Sequence, residues 1–186
     1  MIIFMGVAGS GKSVQGRYLA DKLSLPWLST GEFLRMLVSG EKREAMLSGK
    51  LLEDHEIIEL VRKIFAMVDT KQQFILDGFP RTLAQADWIL NQAKHKQMHI
   101  TAVIHIRVSK SVVLERLHGR GRPDDNDESI AERFHEYDNT IKPILADFKQ
   151  NNIKIFDIDG EQDIAMVHDD VLEAVNLAIS EQEKKS

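Results

Sequence analysis

The stretch IIFMGVAGSGKS, residues 2–13, decides the fold. It opens with four apolar residues, which indicate a buried strand. Residues 6–13 then fit the pattern G-x-x-x-x-G-K-[ST], and a helical pattern runs from about Lys12 to Leu23. A glycine loop between a buried strand and a helix turns backbone N–H groups toward one point and so holds a phosphate. The alternative is a turn built with glycine for steric reasons, which does not require a Lys-Ser pair at the helix start.

This phosphate-binding loop, or P-loop, predicts a nucleotide site. Lys12 adds a positive charge to the β and γ oxygens of the nucleotide, and Ser13 offers a hydroxyl to Mg²⁺. A GTPase would also need N-K-x-D, which the sequence lacks, and a D-x-x-G soon after the loop. The D-x-x-G that is present, residues 157–160, follows the last predicted strand and is better explained as a turn. A regulatory GTPase is therefore not indicated.

Apolar runs elsewhere in the chain predict the rest of the sheet. Strands are expected at 73–77, 101–108 and 153–158, with a weaker fifth at 26–29. Helices are expected at about 31–39, 41–48, 55–68, 82–94, 110–118, 127–138, 140–150 and 161–180. Strands that alternate with helices and are apolar on both faces imply an α/β fold of the P-loop NTPase type, with a five-stranded parallel sheet between two helical layers. Its ligand should lie beyond the carboxyl ends of the strands.

Composition limits the partners of the chain. At 186 residues and 43% hydrophobic it suits one domain, 1–186, with a substantial core. With 24 basic and 29 acidic residues the net charge is −5, so no general attraction to nucleic acid or to an anionic membrane is expected. The sequence has no cysteine, which excludes thiolate metal sites and fits a reducing compartment. The first residues do not form a signal peptide and no apolar run is long enough to span a membrane, so the cytoplasm is the simplest location.

Two stretches place arginines where a second phosphate would lie. LDGFPRT, residues 76–82, ends a predicted core strand with Asp77 and turns sharply to Arg81. Read singly, Asp77 is a turn or helix cap and Arg81 a surface cation, but beside the P-loop strand we favour a site role for the pair. STGEFLR, residues 29–35, shows N-cap chemistry and carries Arg35 one turn inside its helix.

The stretch GRGRPDDND, residues 119–127, sets arginines directly before a cluster of acids. Its glycines, proline and mixed charge favour a solvated linker, whereas its acids suggest a metal loop. The EF-hand pattern fails because Ser129 stands where glycine is required. The acids are better explained as a helix start, with Asp125 or Asn126 as the cap. Both readings of the stretch, linker and part of a site, remain open at this point.

Further arginines extend this site. Arg116 and Arg120 are one helical turn apart, and Arg122 follows at once. The helix from about Asp127 has an apolar stripe, so Arg133 can point to a neighbouring face and rejoin the others. The stripe consists of Ile130, Phe134 and Tyr137.

A P-loop surrounded by arginines suits the transfer of a γ-phosphoryl group, which needs alignment and fixed positive charge. A phosphate acceptor, with a second pKa of about 6, arrives mostly ionised and requires no general base. A hydroxyl acceptor would usually want a carboxylate base, which Asp77 could supply. The residues therefore predict a phosphotransferase and leave its acceptor open.

Taken together, these stretches resemble the adenylate kinases, within the nucleoside monophosphate kinases. The matching runs, in family order and spacing, are the P-loop, STGEFLR, SGKLLED, LDGFPRTLAQA, ERLHGRGRPDDND and ERFHEYDNTIKPI. The resemblance covers nearly the whole chain. It implies reversible transfer of the γ-phosphoryl group of ATP·Mg to AMP, giving two ADP, by a monomer with a nucleoside-monophosphate-binding insertion at 30–60 and a minimal lid at 116–126.

The resemblance also implies roles for individual residues. The ATP-binding set would be Gly9, Ser10, Gly11, Lys12, Ser13, Val14, Arg116, Arg120 and Gly160, with the adenine between Arg116 and the backbone at Gly160. The AMP-binding set would be Thr30, Arg35, Lys50, Leu52, Gly78, Arg81, Gln85, Arg122 and Arg133. The catalytic set would be Lys12, Arg81, Arg120, Arg122 and Arg133. Ser13 and Asp77 would hold Mg²⁺, partly through water, and Asp124 would orient arginines of the lid.

The choice of acceptor depends on few residues. Thr30 and Gln85 match the adenylate kinase pattern, and the Gln85 amide can read a purine edge. UMP/CMP kinases typically show Ala at the position of Thr30 and Asn at the position of Thr82. The resemblance therefore favours AMP. A CMP/UMP or broad-specificity nucleoside monophosphate kinase is the alternative.

Three departures from the family pattern stand out. Ser13-Val14 occupies the place of a usual Gly-Thr, and Glu53 that of a usual Pro or Thr. Only Gly121 separates the lid arginines, so the lid is shorter than in short-lid members and has no structural zinc. Val14 and this short lid are the support for a different class of protein, a catalytically idle nucleotide-binding module.

Overall fold

Strands and helices alternate along the chain as the sequence predicts, in a computed structural model that describes residues 1–47, 52–95, 98–122 and 125–184. The strands are β1 (Ile2–Met5), β2 (Trp27–Ser29), β3 (Ile75–Asp77), β4 (Ala102–Arg107) and β5 (Ile155–Asp159). The helices are α1 (Lys12–Leu23), α2 (Thr30–Leu37), α3 (Gly40–Leu47), α4 (Asp54–Phe65), α5 (Leu83–Lys94), α6 (Lys110–Arg120), α7 (Asp127–Glu136), α8 (Lys142–Gln150) and α9 (Ile164–Glu183). One π-helical turn, Tyr137–Ile141, joins α7 to α8.

All five strands are parallel and lie in the order β2-β3-β1-β4-β5. β1, which leads into the P-loop, is therefore flanked by β3 and β4. Its register sets Phe4 opposite Asp77 and Met5 opposite His105. Because parallel strands end at one edge of the sheet, the P-loop and the stretch after Asp77 emerge side by side.

The inner strands β1, β3 and β4 are buried on both faces, which explains why they are mainly apolar, whereas the edge strand β5 exposes Asp157 and Asp159. In β1, Ile3 and Met5 join one core cluster, whereas Ile2 and Phe4 join the other. Helices α4, α5 and α8 cover the first face, and α1 and α9 cover the second. The predicted three-layer α/β fold is confirmed.

Several element boundaries differ from the sequence prediction by a few residues. The last helix was expected to start at 161 but starts at Ile164, because Asp159 Oδ1 accepts a hydrogen bond from Glu161 N at 3.0 Å and turns the chain first. The weakest predicted strand, β2, has three residues at the sheet edge. Within the described parts of the chain, no helix has the length and apolar character that crossing a membrane requires.

The helices predicted at 127–138 and 140–150 form one continuous run through the π-helical turn. Two side chains compete there for helix carbonyls: Thr140 Oγ1 donates to Glu136 O at 2.7 Å, and Asn139 Nδ2 donates to His135 O at 2.9 Å. The turn carries Tyr137, whose hydroxyl lies 2.7 Å from Nε2 of the buried His105. Helix α7 is thereby fixed to strand β4.

Replacing glycine by alanine is expected to change the free energy of unfolding in opposite directions at two positions. A Cβ at Gly160, after β5, would lie 2.5 Å from Ile106 Cγ2 and 3.1 Å from Arg107 O. We expect Gly160→Ala to lower the free energy of unfolding by about 1–3 kcal/mol. A Cβ at Gly119, in α6, would have no described atom within 4 Å, so Gly119→Ala should raise it by about 0.5–1 kcal/mol. Urea unfolding measures both, and equal effects would contradict the close packing at Gly160.

Candidate active site

A cavity of about 660 Å³ opens at the carboxyl ends of β1 and β3. Most of the residues that the sequence predicted for a site line it. These are Gly9, Ser10, Gly11, Lys12, Ser13, Val14, Arg35, Asp77, Gly78, Arg81, Arg116, Arg120, Arg122, Arg133 and Gly160. Of the described residues predicted for the site, Thr30, Leu52 and Gln85 do not line the cavity. Lys50 and Asp124 lie outside the described residues.

The P-loop forms one wall of this cavity. Gly9 and Gly11 have φ of 86° and 95°, a left-handed conformation that favours glycine. Gly9 also packs closely, since a Cβ there would lie 2.9 Å from Leu117 Cγ. Gly11 is the N-cap of α1 and has no side chain to cap the first turn. Val14 N donates to Gly11 O at 3.0 Å, so the amides of Lys12 and Ser13 are the ones in this turn that can serve an anion.

Lys12 is the cation closest to this helix start. Its Nζ donates to Val7 O at 3.2 Å. Burial lowers the pKa of Lys12 to about 8, an effect that Asp77 opposes and Arg81 reinforces. An arriving phosphate would therefore gain a partner whose charge is poorly solvated.

Ser13 and Asp77 form a pair of oxygen ligands on the cavity wall. Ser13 Oγ donates to Asp77 Oδ2 at 2.6 Å. Asp77 is 1% exposed, and its Oδ1 has no hydrogen-bond partner among the described residues. Hydroxyl and carboxylate oxygens suit Mg²⁺, and a cation would satisfy the unpaired Oδ1. In the described part of the chain no three His, Cys, Asp or Glu side chains come together, so such an ion would need water or phosphate as further ligands.

Asp125 gathers the arginines around the loop after α6. Its carboxylate accepts from Arg120 Nε at 2.8 Å, from Arg122 N at 3.1 Å and from Arg133 Nη1 at 3.4 Å. Burial tends to raise the pKa of Asp125, but the hydrogen bonds from Arg120 and from Arg122 N outweigh it and leave that pKa below its usual value. The predicted return of Arg133 to the other arginines is confirmed.

Two acids and an asparagine of this loop were given roles from the sequence. Asp125 or Asn126 was expected to cap the next helix, and Asp124, which lies outside the described residues, was expected to orient arginines of the lid. Asn126 is the cap of α7, accepting from Ser129 N at 2.9 Å, and Asp125 binds the arginines. The cap is therefore the second of the two expected residues, and the contact of Asp125 with the arginines was not predicted from spacing.

Glu136 is a cavity residue that sequence reasoning missed. Its side chain is 12% exposed, and its Oε1 lies 4.0 Å from Arg81 Nη1. Burial raises the pKa of Glu136, against the attraction of Arg81, Lys12 and Arg133. One signal was available: Glu136 follows Arg133 by three residues and so shares its helix face.

Arg116 joins α6 to the end of β5. Its Nη2 donates to Gly160 O at 2.8 Å, while Gly160 N donates to Arg107 O at 2.9 Å. The cavity wall beyond this contact includes Ile164 and Val167 of α9. Glu161, Gln162 and Asp163 line the same end, so it combines two apolar side chains with polar and acidic ones and a single guanidinium group, whereas the opposite end is rich in arginine.

The model of the family described as adenylate kinase matches residues 4–153. The chain belongs to the adenylate kinase family. The adenylate kinase of Corynebacterium urealyticum is 36% identical over 165 residues, which are 86% of this chain and 91% of that protein. The adenylate kinase of Rhodopirellula baltica is 32% identical over 186 residues, 96% of each chain. That of Leptospira biflexa is 35% identical over 162 residues, 82% of this chain and 87% of the other.

Membership of the adenylate kinase family confirms the predicted family and the predicted class of enzyme, a phosphotransferase of the nucleoside monophosphate kinase type. The structure also shows what the unusual Ser13-Val14 pair does in the P-loop. The hydroxyl that the family usually carries at the second position stands at the first, and it bonds directly to Asp77. Val14 lines the cavity and is 43% exposed.

Two residues predicted to surround the acceptor base, Thr30 and Gln85, form hydrogen bonds within the protein. Thr30 Oγ1 donates to Gly78 O at 2.8 Å. Gln85 Nε2 donates to Asp54 Oδ1 at 2.8 Å, and Gln85 Oε1 accepts from Arg81 N at 2.8 Å. Because a carboxylate can only accept and a backbone N–H can only donate, the Gln85 amide has one fixed orientation. Sequence reasoning did not find Asp54, which lies 31 residues away in the chain.

Proposed function

We propose that this member of the adenylate kinase family transfers the γ-phosphoryl group of ATP·Mg to AMP, giving two ADP, in the cavity described above. The observation that carries the proposal is the convergence of the P-loop lysine with many arginines on that one cavity. The cations are Lys12, Arg35, Arg81, Arg116, Arg120, Arg122 and Arg133. Phosphoryl transfer depends on such fixed charge, because charge spreads over the oxygens of the migrating group.

ATP would occupy the P-loop side of the cavity. The backbone of the loop and Lys12 would hold its phosphates, and the end near Ile164 would receive the adenine beside Arg116 and Gly160. The loop residues in this role are Gly9, Ser10, Gly11, Ser13 and Val14. The arginine-rich end suits phosphates, whereas the end near Ile164 carries the acids Glu161 and Asp163, which supports this orientation.

Mg²⁺ would be held by Ser13 and Asp77, in part through water. The unpaired Asp77 Oδ1 and the Ser13 hydroxyl support this assignment. When bound, the ion neutralises charge on the phosphates and helps to align them. Asp77, fixed by Ser13, would act on the ion and not as a general base, because the AMP phosphate arrives already ionised.

AMP would enter beside α2, within the proposed insertion at 30–60. Arg35 and Arg81 would bind its phosphate, with Gly78 nearby. Thr30, Leu52 and Gln85 would surround its base after a local rearrangement, together with Lys50. Arg81, Arg120, Arg122 and Arg133 would then clamp the migrating group. Closure of the minimal lid, 116–126, would align the phosphates and exclude water.

A kinase that also accepts CMP or UMP is the second candidate. It is favoured by the hydrogen bonds of the Gln85 amide to Asp54 and to Arg81 N, because they leave this amide fewer positions with which to bind a purine edge.

One coupled assay separates these candidates. ADP formation is followed with ATP·Mg and AMP, CMP, UMP or GMP, and Lys12→Met serves as the inactive control. We expect AMP to exceed every other acceptor in kcat/KM by about a hundredfold or more, as sites that hydrogen-bond a substrate discriminate strongly. Comparable rates with CMP or UMP would support the second candidate. ATP binding without turnover on any acceptor would instead indicate an idle nucleotide-binding module.

The depressed pKa of Lys12 gives a prediction about pH. At pH 8, near the pKa of about 8, half of the Lys12 side chains lack a proton, and bound phosphates would restore it. We expect ATP binding at pH 8 to take up about half a proton, and ATP affinity to fall between pH 7 and 9. Calorimetry in two buffers of different ionisation enthalpy measures the uptake. Lys12→Arg stays charged, so the same uptake in that variant would contradict the assignment.

We propose also that the protein works as a monomer in the cytoplasm and binds neither nucleic acid nor membranes. The net charge of −5 supports the absence of polyanion partners. Light scattering after size exclusion tests the first point, and a stable dimer at micromolar concentration would overturn it.

A further inference from the structure

Glu32 shares one carboxylate oxygen among three guanidinium groups. Its Oε1 lies 2.8 Å from Arg35 Nη2, 3.6 Å from Arg122 Nη2 and 3.8 Å from Arg17 Nη2. Glu32 and Arg35 are on α2, Arg17 is on α1, and Arg122 follows α6. A single acid therefore connects the acceptor helix with the loop that carries the lid arginines.

Two of these three arginines belong to the cavity and one does not. Arg35 and Arg122 line it, whereas Glu32 and Arg17 do not. Glu32 does not face the cavity and would act on a reaction through the arginines that it holds. Arg17 instead lies over the ring of Trp27, with its Cζ 4.4 Å from the ring centroid.

The charge on Glu32 is secure at neutral pH. The hydrogen bond from Arg35 lowers the pKa of Glu32, more than partial burial raises it, and Arg122 and Arg17 lower it further. Without this acid, Arg35 and Arg122 would repel each other. Because the Glu32 and Arg122 side chains are 32% and 36% exposed, solvent screens their charges and their pairing adds little to folding. The pair can still affect the reaction rate, because small displacements of a positioning group reduce rates strongly.

We propose that Glu32 is a positioning residue for phosphoryl transfer, which ties the loop after α6 to α2 and holds Arg122 and Arg35 together at the place of the acceptor phosphate. A shorter lid has fewer contacts of its own with which to close. The 3.6 Å ion pair between Arg122 and Glu32, which connects its loop to the acceptor helix, would compensate for this loss. The inference rests on the proposed function, because it assigns Arg35 and Arg122 to the acceptor phosphate.

The test uses Glu32→Gln, which keeps the size of the side chain and removes its charge. We expect kcat/KM for AMP to fall about tenfold, the KM for ATP to change less than about twofold, and ATP hydrolysis without AMP to rise relative to transfer. Arg17→Gln is the matched control: it breaks the third contact of the same carboxylate, and its transfer rate should stay within about twofold of the parent protein.

A double-mutant cycle distinguishes positioning from a general structural effect. In the Arg122→Ala background, Glu32→Gln should cost less than about threefold, because one of the two arginines that Glu32 holds together is gone and only Arg35 is left to position. A tenfold loss in both backgrounds, or no loss from Glu32→Gln alone, would overturn the inference. Urea midpoints of all variants verify that each is folded. Failure of the parent protein to transfer phosphate to AMP would instead overturn the proposed function, so the two outcomes are distinct.

Discussion

Replacing Lys12 by methionine should lower kcat/KM for ATP and AMP by about a thousandfold or more. Lys12 begins the helix behind the P-loop, lines the cavity and is held near Val7 O. Removing one preorganised donor from a site that stabilises developing charge typically costs about 10²–10³ in rate, and Lys12 also contributes a full charge to the phosphates. Methionine keeps the apolar stem of the side chain, so the loop should keep its conformation.

Lys22→Met is the matched control for this change. Lys22 lies on the same helix but is exposed and does not line the cavity. Its kinetics should match those of the parent protein, because only the charge at the cavity matters. Steady-state rates from the coupled assay give the comparison. A Lys12→Met enzyme within tenfold of the parent would remove the P-loop from the proposed mechanism.

Replacing Arg120 by alanine should lower kcat by about a thousandfold. Arginines that stabilise the transferred phosphoryl group contribute about 10³–10⁵ to kcat in related chemistry. Arg120 ends α6, lines the cavity and places Nε and Nη2 on the carboxylate of Asp125. Arg120→Lys should restore little, because an ammonium group cannot reproduce two parallel hydrogen bonds.

Arg62→Ala serves as the control for this second change. Arg62 is an exposed arginine of α4 that pairs with Glu59, away from the cavity. Single-turnover measurements at saturating ATP and AMP report the chemical step without product release. A normal single-turnover rate in Arg120→Ala would show that this arginine does not touch the migrating group.

The main features of the fold could be predicted from the sequence because they depend on local patterns. An apolar run before the P-loop signature requires a buried strand followed by a helix, and β1 and α1 are found there. The π-helical turn at Tyr137–Ile141 could not be predicted. It arises from side-chain hydrogen bonds to helix carbonyls, which the apolar pattern of a helix does not encode.

The cations of the site could be predicted, but most of their acidic partners could not. An arginine at the strand end beside a P-loop indicates phosphate binding, so the sequence pattern pointed to Arg81 and Arg120. Acids are common on protein surfaces, and tertiary contacts alone distinguish Asp125 and Glu136 from solvated ones. Glu32 was missed for the same reason, since its contact with Arg122 joins residues 90 positions apart.

The bonds of Asp125 to Arg120, to Arg122 N and to Arg133 have a consequence for the reaction cycle. Like charges repel, and bringing them together in a cavity opposes folding. Because the negative charge of Asp125 is part of the protein, it is present before any nucleotide binds. The repulsion between the Arg120 and Arg133 guanidinium groups is therefore offset once, when the protein folds. In the proposed reaction each round of transfer would begin with these two cations already assembled.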